Sequence, residues 1–180
     1  MAECIVLETA RTILRPFQIT DGADLYEFSR ERRVADAAGW APHKSVEDSQ
    51  KMILSVFSAP HTFAVVEKGS GKVIGSAGFT AQSRGSFASS DEIGYALHPD
   101  WWGRGIMTEV VRELIRYGFM DRELEAIWCS HYVENPASCR VIEKCGFSYV
   151  TEETLMDHTG EHRTRFYVLL RQQWKGAGHG

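Results

Sequence analysis

Only four cysteines occur in the 180 residues, Cys4, Cys129, Cys139 and Cys145, and no two have Cys-x-x-Cys spacing. That scarcity argues against a disulfide framework and against a zinc ribbon, and it suits reduced thiols in a cytoplasm. No apolar run approaches the roughly 20 residues that a membrane span needs. The opening "MAECIVLETARTILRPF" has early acidic residues and no long apolar stretch, so no signal peptide is expected there. Basic charge is not in excess: 20 Lys and Arg stand against 24 Asp and Glu, a net charge of −4. A general nucleic-acid binder would need the opposite balance. Two familiar phosphate signatures are also missing. There is no Gly-Lys-Ser/Thr, and Gly103-x-Gly105 falls short of Gly-x-Gly-x-x-Gly because Thr108 stands in the last place.

What is present suits a single globular domain with a real core. Hydrophobic residues make up 43% of the chain and charged ones 24%. That domain covers residues 1–180, with a core from about 9 to 171 and a flexible tail from 172 to 180. "TARTILR" alternates as an edge strand would, and Pro16 ends it. "TDGADLYEFSRER" opens with capping chemistry at Thr20 or Asp21, with Leu25 and Phe28 at helical spacing. "AAGWAPHK" is a loop by its Gly and Pro. Ser45 and Asp48 then make a capping-box-like start for a helix whose core candidates are Val46, Met52, Ile53, Val56 and Phe57. "HTFAVVEK" and "KVIGSAGFT" form a hairpin around Gly-Ser-Gly, and "DEIGYALH" is a third strand, ended by Pro99. A helix follows over about 105–118, then a strand "EAIWCSHYV". "NPASCRVIEKCGF" is a short helix with Pro136 early and Gly146 just past its end. "SYVTEE" and "RTRFYVLL" close the chain as antiparallel strands. The order β-α-α-β-β-β-α-β-α-β-β predicts a mixed α/β (α+β) fold, a central β-sheet flanked by helices.

The stretch "HPDWWGRGIMTEVV" sets a Gly-x-Gly turn at the mouth of a helix. Helix starts expose backbone N–H groups without partners, and the dipole is positive there. Glycines at 103 and 105 let an anion approach that backbone, and Arg104 can add charge. A plain strand-to-helix turn is the competing reading of the same residues.

"DEIGYALHPDWWGRGIMTEVVRELIRYGF" resembles the strand, phosphate loop and helix of the GNAT superfamily of acetyl-CoA-dependent N-acetyltransferases. "ENPASCRVIEKCGF" resembles that family's second signature, Asn-x-x-Ser followed by a helix and Gly-Phe. "ARTILRPFQITDGADL" is similar to the first strand and helix of its RimJ/RimL-like branch. The likeness spans nearly the whole chain, with two motifs in the right order. It departs at one place: the family's loop usually reads Gln/Arg-x-x-Gly-x-Gly/Ala, and here Trp102 and Met107 replace the first and last of these while Gly105 is kept.

The resemblance implies a set of roles. Leu97, His98, Trp102, Gly103, Arg104, Gly105, Ile106, Met107, Thr108, Asn135 and Ser138 would bind acetyl-CoA, with Leu97 offering an N–H to the thioester carbonyl. Glu92 matches the position of the base that takes a proton from the amine, and Asp91 should point to the opposite face. Ser138 matches the hydroxyl that protonates the departing thiolate. Trp40 and His43 lie in a loop that lines the acceptor site in that branch. Each also has an ordinary reading: an exposed strand carboxylate for Glu92, a helix cap for Asn135, a core aromatic for Trp40. Arg140 and Lys144 read as solvated helix charges or as nucleotide contacts, and His131 reads as a structural residue or a second base. Trp101 and Trp102 either cover the cofactor or join the core.

The function expected is transfer of acetyl from acetyl-CoA to a primary amine, by direct attack in a ternary complex. A protein N-terminal α-amino group is the leading acceptor. A small-amine enzyme acting on a polyamine or antibiotic, or a non-catalytic acyl-CoA-binding regulator, remain as alternatives. No metal, no direct nucleic-acid partner and no membrane is expected, and the protein is a monomer or homodimer.

Overall fold

A computed structural model describes residues 5–157 and 159–176. Cys4, and 177–180 of the expected tail, lie outside the described residues, and so does His158 in the last turn. The elements are β1 (Leu7–Glu8), β2 (Thr12–Arg15), α1 (Gly22–Ser29), α2 (Arg32–Ala38), α3 (Val46–Ser55), β3 (Thr62–Glu67), β4 (Val73–Phe79) and β5 (Ser90–Leu97). Then come α4 (Ile106–Met120), β6 (Ala126–Tyr132), α5 (Pro136–Lys144), β7 (Ser148–Asp157) and β8 (Gly160–Leu170). This is the mixed α/β fold that the element order predicts, with two additions at the N-terminal end. The first predicted strand, about 9–15, is β2 alone; a separate β1 precedes it and is the edge, because β2 pairs with β3 on its other side. An extra helix, α2, occupies "RRVADAA", and Gly39 ends it in the left-handed region at φ 75°.

The chain forms two compact units. One comprises 1–78 with 95–106, the other 79–94 with 107–180. In the first, the strand order is β1-β2-β3-β4 and then the C-terminal end of β5. Its core sets Leu25 and Phe28 of α1, Val34 of α2 and Ile53 of α3 against Ala64 and Val66 of β3, Val73 of β4 and Ala96 of β5. Phe57 joins this core, whereas Val56 is exposed, because the helix stops at Ser55 and the next residues turn away. Two polar anchors hold the helices. Asp21, buried just before α1, accepts two hydrogen bonds from Arg15 of β2 at 2.7 and 2.9 Å and one from the Gln18 N–H at 2.7 Å. Ser45 accepts from the Asp48 N–H at 3.1 Å, which is the capping bond that the sequence predicts for α3.

In the second unit the order is β5-β6-β8-β7. Strands β5 and β6 run parallel, with Glu92 beside Trp128. A parallel pair needs a long crossover, and α4 supplies it. Val110, Val111 and Leu114 of α4 and Ile127 of β6 are all fully buried in this unit. Strands β7 and β8 make a long hairpin whose register shifts between Tyr149 and Thr151. Val150 is the extra residue, and beyond it every side chain of β7 changes face relative to an unbroken ladder.

His43 lies in the loop before α3, buried, with its Nδ1 2.8 Å from Ser49 Oγ. Burial pushes its imidazole below the ordinary 6.5, against a smaller upward pull from Asp48. The unfolded chain therefore takes up a proton that the folded chain resists, and this contribution to stability, full above pH 6.5, declines as the pH falls below that value. The urea midpoint should drop as the pH is lowered through this range, and His43→Gln should flatten the dependence. Equal slopes for the two proteins would show that His43 carries none of it.

Candidate active site

The turn between β5 and α4 has the geometry that its glycines allow. Gly103 and Gly105 both sit in the left-handed region, at φ 73° and 77°. A side chain there costs about 1–2 kcal/mol from backbone sterics alone. Space beside them is open. A Cβ on Gly103 would meet nothing within 4 Å beyond its chain neighbours, and one on Gly105 would meet only Arg11 Nη2 at 3.6 Å, among the described residues. Arg11, in the turn between β1 and β2, thus brings a guanidinium to this backbone, and nothing in the sequence motif pointed to it. Arg104 lies over the Trp101 ring at 4.9 Å. Ile106 and Met107 begin the 15-residue α4 and are buried. A helix start behind open glycines, with Arg11 near, suits a pyrophosphate such as that of coenzyme A.

Trp102 has a different task. Its indole Nε1 donates to the Leu97 carbonyl at 2.7 Å, and the Arg33 guanidinium stands 5.4 Å from its ring. It therefore ties the end of β5 to the start of the turn. His98 accepts from the Asp100 N–H through Nδ1 at 3.1 Å and begins the short 3-10 turn Pro99–Trp101. Leu97, His98 and Trp102 are thus joined in one hydrogen-bonded corner. Thr108, in the first turn of α4, accepts at its carbonyl from Cys145 Sγ at 3.8 Å.

Glu92 projects from β5, only 8% exposed. Residues opposite one another in register share a face, so Glu92, Trp128 and Ser130 lie together, with Phe166 of β8 and Glu153 of β7. Ser130 Oγ donates to Glu92 Oε1 at 2.5 Å. Glu92 Oε2 is buried and accepts no hydrogen bond, and the Trp128 Nε1 on the same face is buried without an acceptor. Burial raises the Glu92 pKa above the ordinary 4.5, while Ser130 and Arg84 oppose the rise. Arg84 Nε stands 3.8 Å from Oε2. Asp91 points the other way, as alternation predicts, to Arg122 at 3.0 Å. The sequence motif singled out Glu92 but neither Ser130 nor Arg84, whose partnership depends on strand register and on a loop.

Asn135 caps α5: its Oδ1 accepts from the Ser138 N–H at 3.1 Å. Next to Ser138, Cys139 Sγ lies 3.7 Å from the Tyr167 hydroxyl. Tyr167 and His131 are on the face of β8 and β6 opposite Glu92, so the structure does not gather the Glu92 side chain and helix α5 on one face. His131 has a structural place, with Nδ1 donating to the Tyr132 carbonyl at 2.7 Å and Nε2 3.1 Å from the Tyr167 hydroxyl. Trp40 packs edge-on against Phe57 at 6.1 Å and, like His43, turns into the first unit's core. Arg140 and Lys144 are exposed on α5. Among the described residues, no group of three His, Cys, Asp or Glu could hold a metal ion, and no helix is long and apolar enough to cross a membrane.

Comparison with known proteins bears on this geometry. Residues 11–148 match the Acetyltransferase (GNAT) domain. The uncharacterized N-acetyltransferase p20 of Bacillus licheniformis is 29% identical over 180 residues, covering 94% of this chain and 98% of that one. The [Ribosomal protein uS5]-alanine N-acetyltransferase of Escherichia coli is 26% identical over 113 residues, covering 63% and 52%. A GCN5-related N-acetyltransferase from Brucella melitensis has the same fold, with a TM-score of 0.83 at 20% identity over 96% of this chain and 81% of that one. The family match takes in β2, β5, the glycine turn, Glu92 and the Asn135 cap together, and the chain belongs to the GNAT family as an acetyl-CoA-dependent acetyltransferase of that fold.

Proposed function

We propose that the chain is an N-acetyltransferase of the RimJ/RimL-like branch, and that its acceptor is a protein N-terminal α-amino group. The observation that carries this reading is the buried Glu92 carboxylate, with one oxygen bonded to Ser130 and the other buried without a hydrogen-bond partner. Amines attack only when neutral. An α-ammonium has a pKa of about 7.7–8.0 against about 10.4 for an alkylammonium, so at pH 7 about a tenth of the first is neutral and only a few parts in ten thousand of the second. A carboxylate base whose own pKa is raised stands closer to the α-ammonium, and proton transfer between them is correspondingly less uphill. The likeness to the E. coli uS5-alanine enzyme supports the same acceptor class.

Acetyl-CoA would supply the activated acetyl group as a thioester, its pyrophosphate held by the backbone of 103–108 with Arg11 and Arg104 near. Glu92 Oε2 takes one proton from the ammonium. The freed lone pair forms the C–N bond, and the C–S bond breaks. As the amide forms, the second amine proton passes to Ser138 while Ser138 gives its own to the departing thiolate, so the serine ends neutral, coenzyme A leaves as a thiol, and Glu92 later returns its proton to water. The Leu97 N–H steadies the carbonyl oxygen as it becomes negative. Asn135, already holding the first turn of α5, keeps the Ser138 backbone in place for that donation.

Calorimetric titration should show binding of acetyl-CoA and none of ATP or NAD. Gly105→Val should weaken that binding through backbone strain and an obstructed turn, and an unchanged dissociation constant would remove the phosphate role of the turn. Glu92→Gln should lower kcat by about 10²–10⁴-fold with acetyl-CoA affinity retained. Full turnover in that variant would show that Glu92 is not the base. Peptides with a free N-terminal alanine or serine should be acetylated faster than spermidine, and the reverse order would move the reading to a small-amine enzyme.

A further inference from the structure

The face of Glu92 gathers charged and polar groups from three segments. From β6 comes the Ser130 hydroxyl, from the loop 80–89 comes Arg84, and from β7 comes Glu153; Phe166 of β8 brings no charge. On β5 itself the neighbour Asp91 is turned away to Arg122. Arg84 is the cation of this set, and it does not bond Glu92. Its Nη1 donates to both oxygens of Glu153, at 3.2 and 3.4 Å, and its guanidinium carbon lies 3.5 Å above the centre of the Phe166 ring. Its Nε stops 3.8 Å from Glu92 Oε2, beyond hydrogen-bond reach. The loop carrying it is fastened at other points. Ser90 Oγ donates to the Arg84 carbonyl at 3.4 Å, and the Ala88 N–H donates to the Glu125 carboxylate at 3.1 Å.

We infer that Arg84 is the positioning cation of the Glu92 site: held back by Glu153 and Phe166, it keeps the carboxylate charged while leaving the buried Oε2 without a hydrogen bond, so that this oxygen can take one from the acceptor's ammonium. This rests on the proposed role of Glu92 as the base. A guanidinium in direct contact would satisfy both carboxylate oxygens and occupy the place the amine must reach. With no cation near, a carboxylate so deeply buried would hold a proton and could not accept another. The spacing meets both demands, and Glu153 sets it. The register shift at Val150 is what makes this possible, since without it Glu152 rather than Glu153 would lie opposite Thr164, on the face of Glu92.

The test reads the charge of Glu92 directly, with no acceptor needed. The full chain is labelled with carbon-13 at the glutamate side-chain carboxyl, and the Glu92 signal is assigned by its loss in Glu92→Gln. Its titration midpoint is then followed in the wild type and in variants. Arg84→Met keeps the length of the side chain over Phe166 and removes the charge, and it should move the midpoint up by about one unit or more. Arg84→Lys should restore most of the wild-type value. Glu153→Gln should lower the midpoint, and by less when Arg84 is already Met. An unchanged midpoint in Arg84→Met overturns the inference. So does a lowered one, because a residue that merely latched the loop would, on removal, expose Glu92 to water and make it more acidic. Equal effects of Glu153→Gln in both backgrounds would show that Glu153 does not act through Arg84. These midpoints stand apart from the kinetics of Glu92→Gln, so failure here leaves the base assignment standing and failure there leaves the electrostatics standing.

Discussion

Burying the Glu92 carboxylate on β5 costs free energy that grows with its charge, and residues from several segments offset that cost. Ser130 supplies a hydrogen bond from the neighbouring strand. Arg84 supplies a positive charge from a loop, itself braced by Glu153 and the face of Phe166. Remove the Ser130 hydrogen bond or the Arg84 charge and the group would tend to take up a proton, which for the proposed base would be loss of function without loss of fold. Strand register does most of this work. Glu92 beside Trp128, Ser130 beside Phe166 and Glu153 beside Thr164 all follow from pairings that place alternate residues on one face.

The glycine turn depends on a different kind of chemistry. Its contacts to a phosphate would come from backbone N–H groups, which every residue carries, so its side chains are free to vary as long as they stay out of the way. Trp102 and Met107 show two ways of doing so. Met107 is buried, and Trp102 bonds the Leu97 carbonyl and lies beside Arg33. The left-handed glycines are less replaceable, because at φ 73° and 77° a Cβ strains the chain even where there is room for it.

Much of this architecture is legible in the amino-acid order, for reasons that are local. The β3–β4 hairpin, the amphipathic α4, the Ser45 cap and the α5 helix between Asn135 and Gly146 are each specified by neighbours in the chain. What is not legible is set at long range. Helix α2 is short and opens on a charged "RR" pair, and only burial of Val34 and Ala35 in the core gives it an inner side. The bulge at Val150 leaves no mark in a run that reads equally well as a regular strand. Arg11, Arg84 and Ser130 belong to no motif, and they matter through what the fold brings near them. Trp40 and His43 sit in a loop rich in Gly and Pro, where composition suggests exposure, yet Phe57 and Ser49 draw both rings inward.

The two faces of β6 and β8 divide the handling of protons. On the face away from Glu92, the His131 Nδ1 must carry hydrogen, because its partner, the Tyr132 carbonyl, can only accept. In the neutral imidazole this leaves Nε2 as acceptor, so the Tyr167 hydroxyl donates to it, and the Cys139 thiol donates to Glu143 Oε1 at 3.6 Å with the Tyr167 hydroxyl 3.7 Å away. Burial, with Cys139 nearby, pushes the Tyr167 pKa up to about 12. The face of Glu92 is the reverse, with a carboxylate oxygen that has no donor. Acyl transfer to an amine needs a proton accepted at the nucleophile and one returned to the leaving sulfur. On this sheet the polar groups of one face are paired with one another, while the unpaired carboxylate oxygen of Glu92 lies on the other, where the proposed base would need it.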